Sequence, residues 1–243
     1  MTPPLFLVED LGTGSSLVLT GAEAHHAGTV KRLVAGEAVW LADGRGGLAE
    51  ATVAAVSRDR VVCTVTARRA VPEREPRFTV AQALPKGERA DLAVEALTEL
   101  GVDEILPWAA ERAITQWRAE RAERGRTRWQ RTAREASKQC RRARVPVIGP
   151  LYETANLVDR SATAALTLVL HEDAPLPLAG TELPARGEVL LVVGPEGGLS
   201  PAELTRLAAA GARAVRLGPE VMRTATAGAA ALAVLNVRAG RWR

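Results

Sequence analysis

A chain of 243 residues with 47% hydrophobic and 25% charged side chains has enough apolar surface for a core, which excludes a disordered polymer. No apolar run reaches the ~20 residues a bilayer-spanning helix needs, and Met1-Thr2-Pro3-Pro4-Leu5-Phe6 lacks the basic start of a secretion signal, so a soluble cytoplasmic protein is expected. Cys63 and Cys140 lie far apart and no Cys/His spacing fits zinc, so neither a disulfide framework nor a metal is expected. The net charge of +4 is unevenly spread: residues 112–144 hold 12 Lys/Arg against 3 Asp/Glu, which leaves −5 for the rest. Such a segment attracts a polyanion such as nucleic acid, or forms a solvated arginine-rich helix face.

From the N-terminus, strand patterns occupy residues 16–19, 38–42, 49–56 and 61–65. Asp43-Gly44-Arg45-Gly46-Gly47 and Ser57-Arg58-Asp59-Arg60 separate the last three as hairpin turns, which predicts a small antiparallel barrel. Residues 71–76 are charged and hold two prolines, so a linker there divides one domain, 1–72, from another, 73–243. Beyond it the pattern alternates: a strand at 78–84, an amphipathic helix at 88–100 stopped by Gly101, a strand at 104–108 and a basic helix at about 119–143. A strand at 145–148, a helix at 154–160 and a strand at 164–170 follow. This is the α/β class, a mostly parallel sheet with helices on both faces.

Two strand-loop-helix units close the chain. The apolar run 188–193 enters Gly194-Pro195-Glu196-Gly197-Gly198, after which Ser200, Pro201 and Glu203 mark a helix start with a capping box. Residues 214–217 enter Gly218-Pro219-Glu220, followed by an alanine-rich helix from Arg223. Ligands of parallel sheets sit at the carboxyl ends of strands, so the two turns are expected to wall one pocket. No Gly-Lys-Ser or Gly-Lys-Thr follows the glycines, and Leu84-Pro85-Lys86-Gly87 stands where a Gly-x-Gly-x-x-Gly fingerprint would be needed. Triphosphate cradles and dinucleotide sites are disfavoured accordingly.

The ordered set of residues 194–200, Leu217-Gly218 and Met222-Arg223-Thr224 resembles the C-terminal signature of SPOUT-class RNA methyltransferases. It is most similar to the RsmE family, which methylates N3 of a uridine in 16S rRNA of the small ribosomal subunit. His25-His26 with Val30-Lys31-Arg32-Leu33, Thr98-Glu99-Leu100-Gly101-Val102, and Glu135-Ala136 with Gln139, Arg142 and Pro146 extend the likeness over nearly the whole chain. Two positions depart from it: Ala225 stands where the family often has Glu, and no Arg precedes Leu5-Phe6.

The resemblance implies a PUA-like RNA-binding barrel, a SPOUT domain with a trefoil knot, a homodimer, and S-adenosylmethionine as methyl donor. Its cofactor residues would be Leu170, Gly194, Glu196, Gly197, Gly198, Leu217, Gly218, Met222, Arg223 and Thr224. Arg223 is the candidate for electrostatic catalysis, with no general base assigned. Lys31, Arg32, Arg112, Arg141 and Arg142 are candidates for RNA phosphate contacts. Rival readings are a SPOUT enzyme with another target atom, or a non-catalytic ribosome-assembly factor. His25 and His26 read as a helix start, with an approach to RNA as the alternative, and His171 as a polar cap on a strand end, with a place in the pocket lining as the alternative, while Trp108 and Trp129 read as core.

Overall fold

The computed structural model describes residues 2–87, 89–117 and 119–242, so Glu88, where the sequence starts its first long helix, lies outside the described residues. Two compact units emerge: Met1–Glu73 with Arg134–Val145, and Arg74–Ala133 with Pro146–Arg243.

In the first unit, β1 (Leu5–Leu7), β2 (Ser16–Thr20), β3 (Ala38–Ala42), β4 (Gly47–Val56) and β5 (Arg60–Ala70) form a sheet of order β1-β3-β4-β5-β2. The hairpins are antiparallel as expected, and the Asp43 carboxylate holds its turn by accepting the N–H groups of Arg45 at 2.7 Å and Gly47 at 2.9 Å. One strand corrects the antiparallel expectation: β1, too short to show a period, pairs parallel with β3. The residues between them carry β2 and the helix α1 (Gly21–His25), a crossover long enough for parallel pairing. Register shifts at Glu50/Ala51 and Val53/Ala55 curl the β4–β5 ribbon around a core of Phe6, Leu19, Val39, Leu41, Val61 and Cys63. His25 and His26 do not start a helix: His25 ends α1, and a π-helical turn, His26–Val30, continues it.

The second unit holds, among the described residues, a seven-stranded sheet. Its strands are β6 (Arg77–Ala83), β7 (Glu104–Trp108), β8 (Val147–Ile148), β9 (Leu166–Leu170), β10 (Leu176–Pro177), β11 (Glu188–Val193) and β12 (Arg213–Arg216). Every pairing is parallel, in the order β10-β12-β9-β11-β6-β7-β8. The helices are α2 (Arg89–Glu99), α3 (Ala119–Gln139, whose residues from Arg134 onward belong to the first unit), α4 (Thr154–Thr163), α5 (Pro201–Ala209) and α6 (Thr224–Arg238). The basic helix thus ends at Gln139 rather than near residue 143, because Arg141 turns into the left-handed region at φ 61°.

Side-chain alternation assigns the two faces. Ala81, Ala83, Leu190 and Val192 pack with Leu157 of α4 and Leu207 of α5, whereas the intervening Gln82 and Val193 face α6. After β12 the chain doubles back to lay α6 on α2, β6 and β11, the return that the family resemblance implies is the last step of a knot.

Gly228 makes this return possible. A Cβ there would stand 3.2 Å from Val193 Cγ2, 3.3 Å from Gln82 Oε1 and 3.5 Å from Leu97 Cδ2. Gly228→Val is therefore expected to lower unfolding free energy by about 2 kcal/mol through overpacking. Urea titration of the variant measures it, and an unchanged midpoint would refute the tight fit.

Candidate functional site

Three strands end together. Leu170 pairs with Val215, Val192 with Val169, and Val193 with Gln82, so the loops after β9, β11 and β12 leave one edge of the sheet. Ligands of parallel sheets bind at this carboxyl edge. With the start of α6 the loops enclose a cavity of about 550 Å³, a volume suited to a cofactor-sized molecule.

All ten residues expected to hold the cofactor, from Leu170 through both glycine turns to Thr224, line this cavity. Glu220, in the turn expected to wall the pocket, lines it too, as do Glu172, Asp173 and Arg216, for which the sequence reading had no role. Their position directly after β9 and at the end of β12 is the signal that could have found these three. The wall thus mixes cations with carboxylates, a donor and acceptor set that matches a zwitterionic ligand.

Local packing shapes the glycine wall. Gly198 takes φ 69°, which side chains disfavour, and a Cβ on Gly197 would stand 3.2 Å from the Arg112 carbonyl oxygen. A Cβ on Gly194 would stand 2.5 Å from Leu199 Cδ1. Arg112, read from sequence as a phosphate contact, lines the cavity and directs Nη1 towards the carbonyls of Gly197 at 3.4 Å and Leu199 at 3.5 Å. Glu196 Oε1 lies 3.5 Å from the Lys86 amide.

Behind the wall, Glu203 is 2% exposed and fully engaged. It completes the capping box by accepting the Ser200 N–H at 2.9 Å, while its other oxygen accepts the Glu111 N–H at 2.8 Å and the Thr154 hydroxyl at 3.1 Å. One carboxylate therefore fixes the end of the glycine loop and the backbone beside Arg112. Gln82, also buried, donates Nε2 to the Thr224 carbonyl at 3.2 Å and so pins the first turn of α6 to β6.

Arg223 is the exposed N-cap of α6 and lines the cavity. A cation at a helix N-terminus adds to the positive end of the macrodipole, so the two together favour an anion in front of them. Among the described residues no ion pair neutralises it. His171 does both things considered for it: it lines the cavity, and its Nδ1 accepts the Asp173 N–H at 3.2 Å.

The other basic candidates belong to the first unit. Lys31, Arg32 and Arg141 are exposed and Arg142 is half-buried. Arg32, at φ 53°, and Arg141, at φ 61°, occupy backbone that usually calls for glycine. Arg141 is the left-handed residue of a Schellman motif, since the Arg142 N–H donates to the Ser137 carbonyl at 2.8 Å and the Arg141 N–H to that of Lys138 at 3.3 Å. Arg141→Gly is expected to stabilise the fold by about 1 kcal/mol and to weaken RNA binding, so thermal midpoint and affinity move in opposite directions. His26 packs edge-on against Phe6, and burial together with the charge of Lys138 pushes its imidazole below its ordinary pKa.

Trp108 and Trp129 are buried, as read, while Trp117 is half-buried with its ring 5.1 Å from that of Trp129. Among the described residues no group of three or more His, Cys, Asp or Glu is placed to hold a metal, and no helix is long and apolar enough to cross a membrane.

The family profile described as an RNA methyltransferase domain matches residues 72–236, and that of an RNA methyltransferase PUA domain matches residues 19–66. The chain is 44% identical over its whole length to ribosomal RNA small subunit methyltransferase E of Mycobacterium bovis, covering 94% of that protein. The Bacillus subtilis protein of the same name is 30% identical across 90% of this chain and 88% of its own. Among solved structures, the Neisseria gonorrhoeae ribosomal RNA small subunit methyltransferase E bound to S-adenosyl methionine superposes with a TM-score of 0.86 at 27% identity, covering 97% of this chain and 98% of that one.

Proposed function

Because the chain belongs to the ribosomal RNA small subunit methyltransferase E family, we propose that it transfers a methyl group from S-adenosylmethionine to N3 of a uridine in 16S rRNA. The observation that carries this reading is the convergence of both glycine turns, the end of β9 and the first turn of α6 on one cavity. When bound, the cofactor supplies a sulfonium-activated methyl group.

The chain's own residues supply recognition and placement. Main-chain groups of the turns at 194–198 and 217–222 recognise the adenine, and closely packed glycines let the ligand reach them. Arg112 and Arg216 offer partners for a carboxylate, and Glu172, Asp173 and Glu220 for an ammonium. Arg223 faces the uracil oxygens and favours loss of the N3 proton, which must leave before or during attack. Holding the uridine nitrogen in line with the methyl group contributes rate by orientation.

The reading includes a cytoplasmic homodimer, a PUA-like RNA-binding domain at 1–72 and a SPOUT catalytic domain at 73–243. The small side chains of α6, such as Ala229 and Ala230, suit close approach of a second subunit.

Labelled cofactor supplied with naked 16S rRNA or with small subunits from a strain lacking the modification tests the proposal. Nucleoside mass spectrometry should return 3-methyluridine. A ribose or guanine methyl product would replace the proposed target atom, and failure to bind S-adenosylmethionine by calorimetry would leave a non-catalytic RNA-binding factor.

A further inference from the structure

Along α3, Arg121, Arg124, Arg128 and Arg131 recur at intervals of three and four residues, so they form one stripe on one face of the helix. All four are exposed. Arg128 is held by the Asp91 carboxylate of α2, whereas Arg121, Arg124 and Arg131 join no ion pair among the described residues. Glu123, the acid within this stretch whose side chain is described, lies about 160° round the helix from Arg121 and about 100° from Arg124, and pairs with Arg126 instead. Like charges at this spacing destabilise a helix on their own. An anionic partner would relieve that repulsion.

The stripe runs roughly 15 Å from Arg121 to Arg131, long enough to meet several consecutive phosphates of one strand. Its other neighbour is aromatic. Trp117 sits where a Cβ on Gly125 would stand, 2.5 Å from its Cε2, and packs edge-on against buried Trp129, so the absent side chain at residue 125 seats the ring on α3. Half-buried, Trp117 keeps part of its surface beside the arginines. Arg112, which lines the cavity, precedes Trp117 by five residues, so at most ~18 Å of extended chain joins the stripe to the site. Arginines flanking an aromatic ring are the combination that tracks a single-stranded nucleic acid.

We infer that the Arg121–Arg124–Arg131 face of α3, edged by Trp117, is a docking surface for the phosphate backbone of the substrate RNA. The inference rests on the proposed function and adds a second contact region to the arginines already named. It acts by charge, without reading bases, and so feeds affinity and on-rate rather than the chemical step.

The triple variant Arg121→Gln/Arg124→Gln/Arg131→Gln tests it, with fluorescence anisotropy on a 16S rRNA fragment across a salt series. Affinity at low salt should fall roughly tenfold or more, and the slope of log K against log salt should flatten by about 2, since each lost phosphate contact removes about 0.7–0.9. The corresponding triple lysine variant should keep the wild-type slope. Calorimetric S-adenosylmethionine affinity should stay unchanged and the thermal midpoint should hold or rise. Wild-type RNA affinity and slope in the glutamine variant would overturn the inference, as would retained RNA binding with selective loss of binding to poly-glutamate, which would assign the face to an acidic protein. A wild-type protein that binds RNA with the expected slope yet never binds S-adenosylmethionine would instead sink the proposed reaction and leave the docking surface standing.

Discussion

Replacing Arg223 with alanine should slow methyl transfer roughly 10²–10³-fold under single-turnover conditions, the range found when one preorganised donor is removed from a site of developing charge. The argument begins at the backbone. Gln82 pins the Thr224 carbonyl and Gly228 lets α6 approach β11, so the N-terminus of α6 is held against the sheet edge where the cavity opens. Arg223 caps that helix with extended backbone, φ −69° and ψ 147°, and its carbonyl accepts the N–H groups of Thr226 and Ala227. The guanidinium therefore leaves from a fixed point, and the helix dipole adds positive potential behind it.

In the proposed reaction that potential would favour the N3-deprotonated uracil over its neutral form. The consequence is a pH signature as well as a rate. In wild-type protein the rate should rise with pH until the anion is formed. In Arg223→Ala the same rise should occur at higher pH, because the anion has lost its stabilising partner. Arg223→Lys should recover part of the effect, a point charge replacing the planar fork. Wild-type single-turnover rates for Arg223→Ala, with normal cofactor affinity, would remove this residue from the reaction. Ala225, where the family often carries Glu, is 4% exposed, so the neighbouring position offers no acid and is sealed from solvent.

Local patterns in the sequence reported local structure well. The capping box at Ser200 and Glu203, the hairpin turn at Asp43 and the burial of Trp108 and Trp129 all depend on neighbours within a few residues or on bulk hydrophobicity. Non-local features stayed hidden. The parallel partner of β1 lies some thirty-five residues away and no period shows in Leu5–Leu7. The end of α3 was misplaced because arginine adopts a left-handed cap that sequence rules reserve for glycine. The candidate cofactor residues came from an ordered set of motifs, whereas the acids at 172 and 173 and the supporting Gln82 required knowing which strand ends share an edge. Glu203 was legible as a capping residue but not as the acceptor for Glu111 and Thr154, ninety-two and forty-nine residues away in sequence.

At the opposite ends of these strands, Arg160→Ala should cost about 3 kcal/mol of stability at neutral pH, the scale expected when one partner of a largely buried ion pair is removed. Arg160 of α4 bridges two carboxylates, reaching Glu188 at the start of β11 through 2.7 and 2.8 Å contacts and Glu104 at the start of β7 at 2.8 Å. Thr79 of β6 also donates to Glu188. One guanidinium thus joins α4, β11 and β7, and Glu188 ties in β6 through Thr79; the Arg160 side chain is 29% exposed against 17% for Glu188 and 14% for Glu104.

Burial pushes the Glu188 carboxyl upward, but the hydrogen bonds from Arg160 and Thr79, with the charges of Arg160 and Arg77, outweigh it and hold the group below the usual carboxylate range. A depressed pKa means the stabilisation is complete above the unfolded-state value and is lost as pH falls through the folded value. Without Arg160 the carboxylate keeps its burial cost and loses its largest compensating hydrogen bond, so acid removes less stability from the variant than from the wild type. The difference between the two proteins should therefore be largest near pH 7 and should shrink as acid protonates the carboxylates below about pH 4. Urea unfolding across that range measures it directly. Glu104→Gln/Arg160→Met/Glu188→Leu, which removes the whole charged cluster, should come close to wild-type stability at pH 7. Because the network lies at the far end of the strands from the cavity, S-adenosylmethionine affinity of the folded Arg160→Ala protein should stay as in wild type, and a pH-independent stability difference would show that the ion pair is not its source.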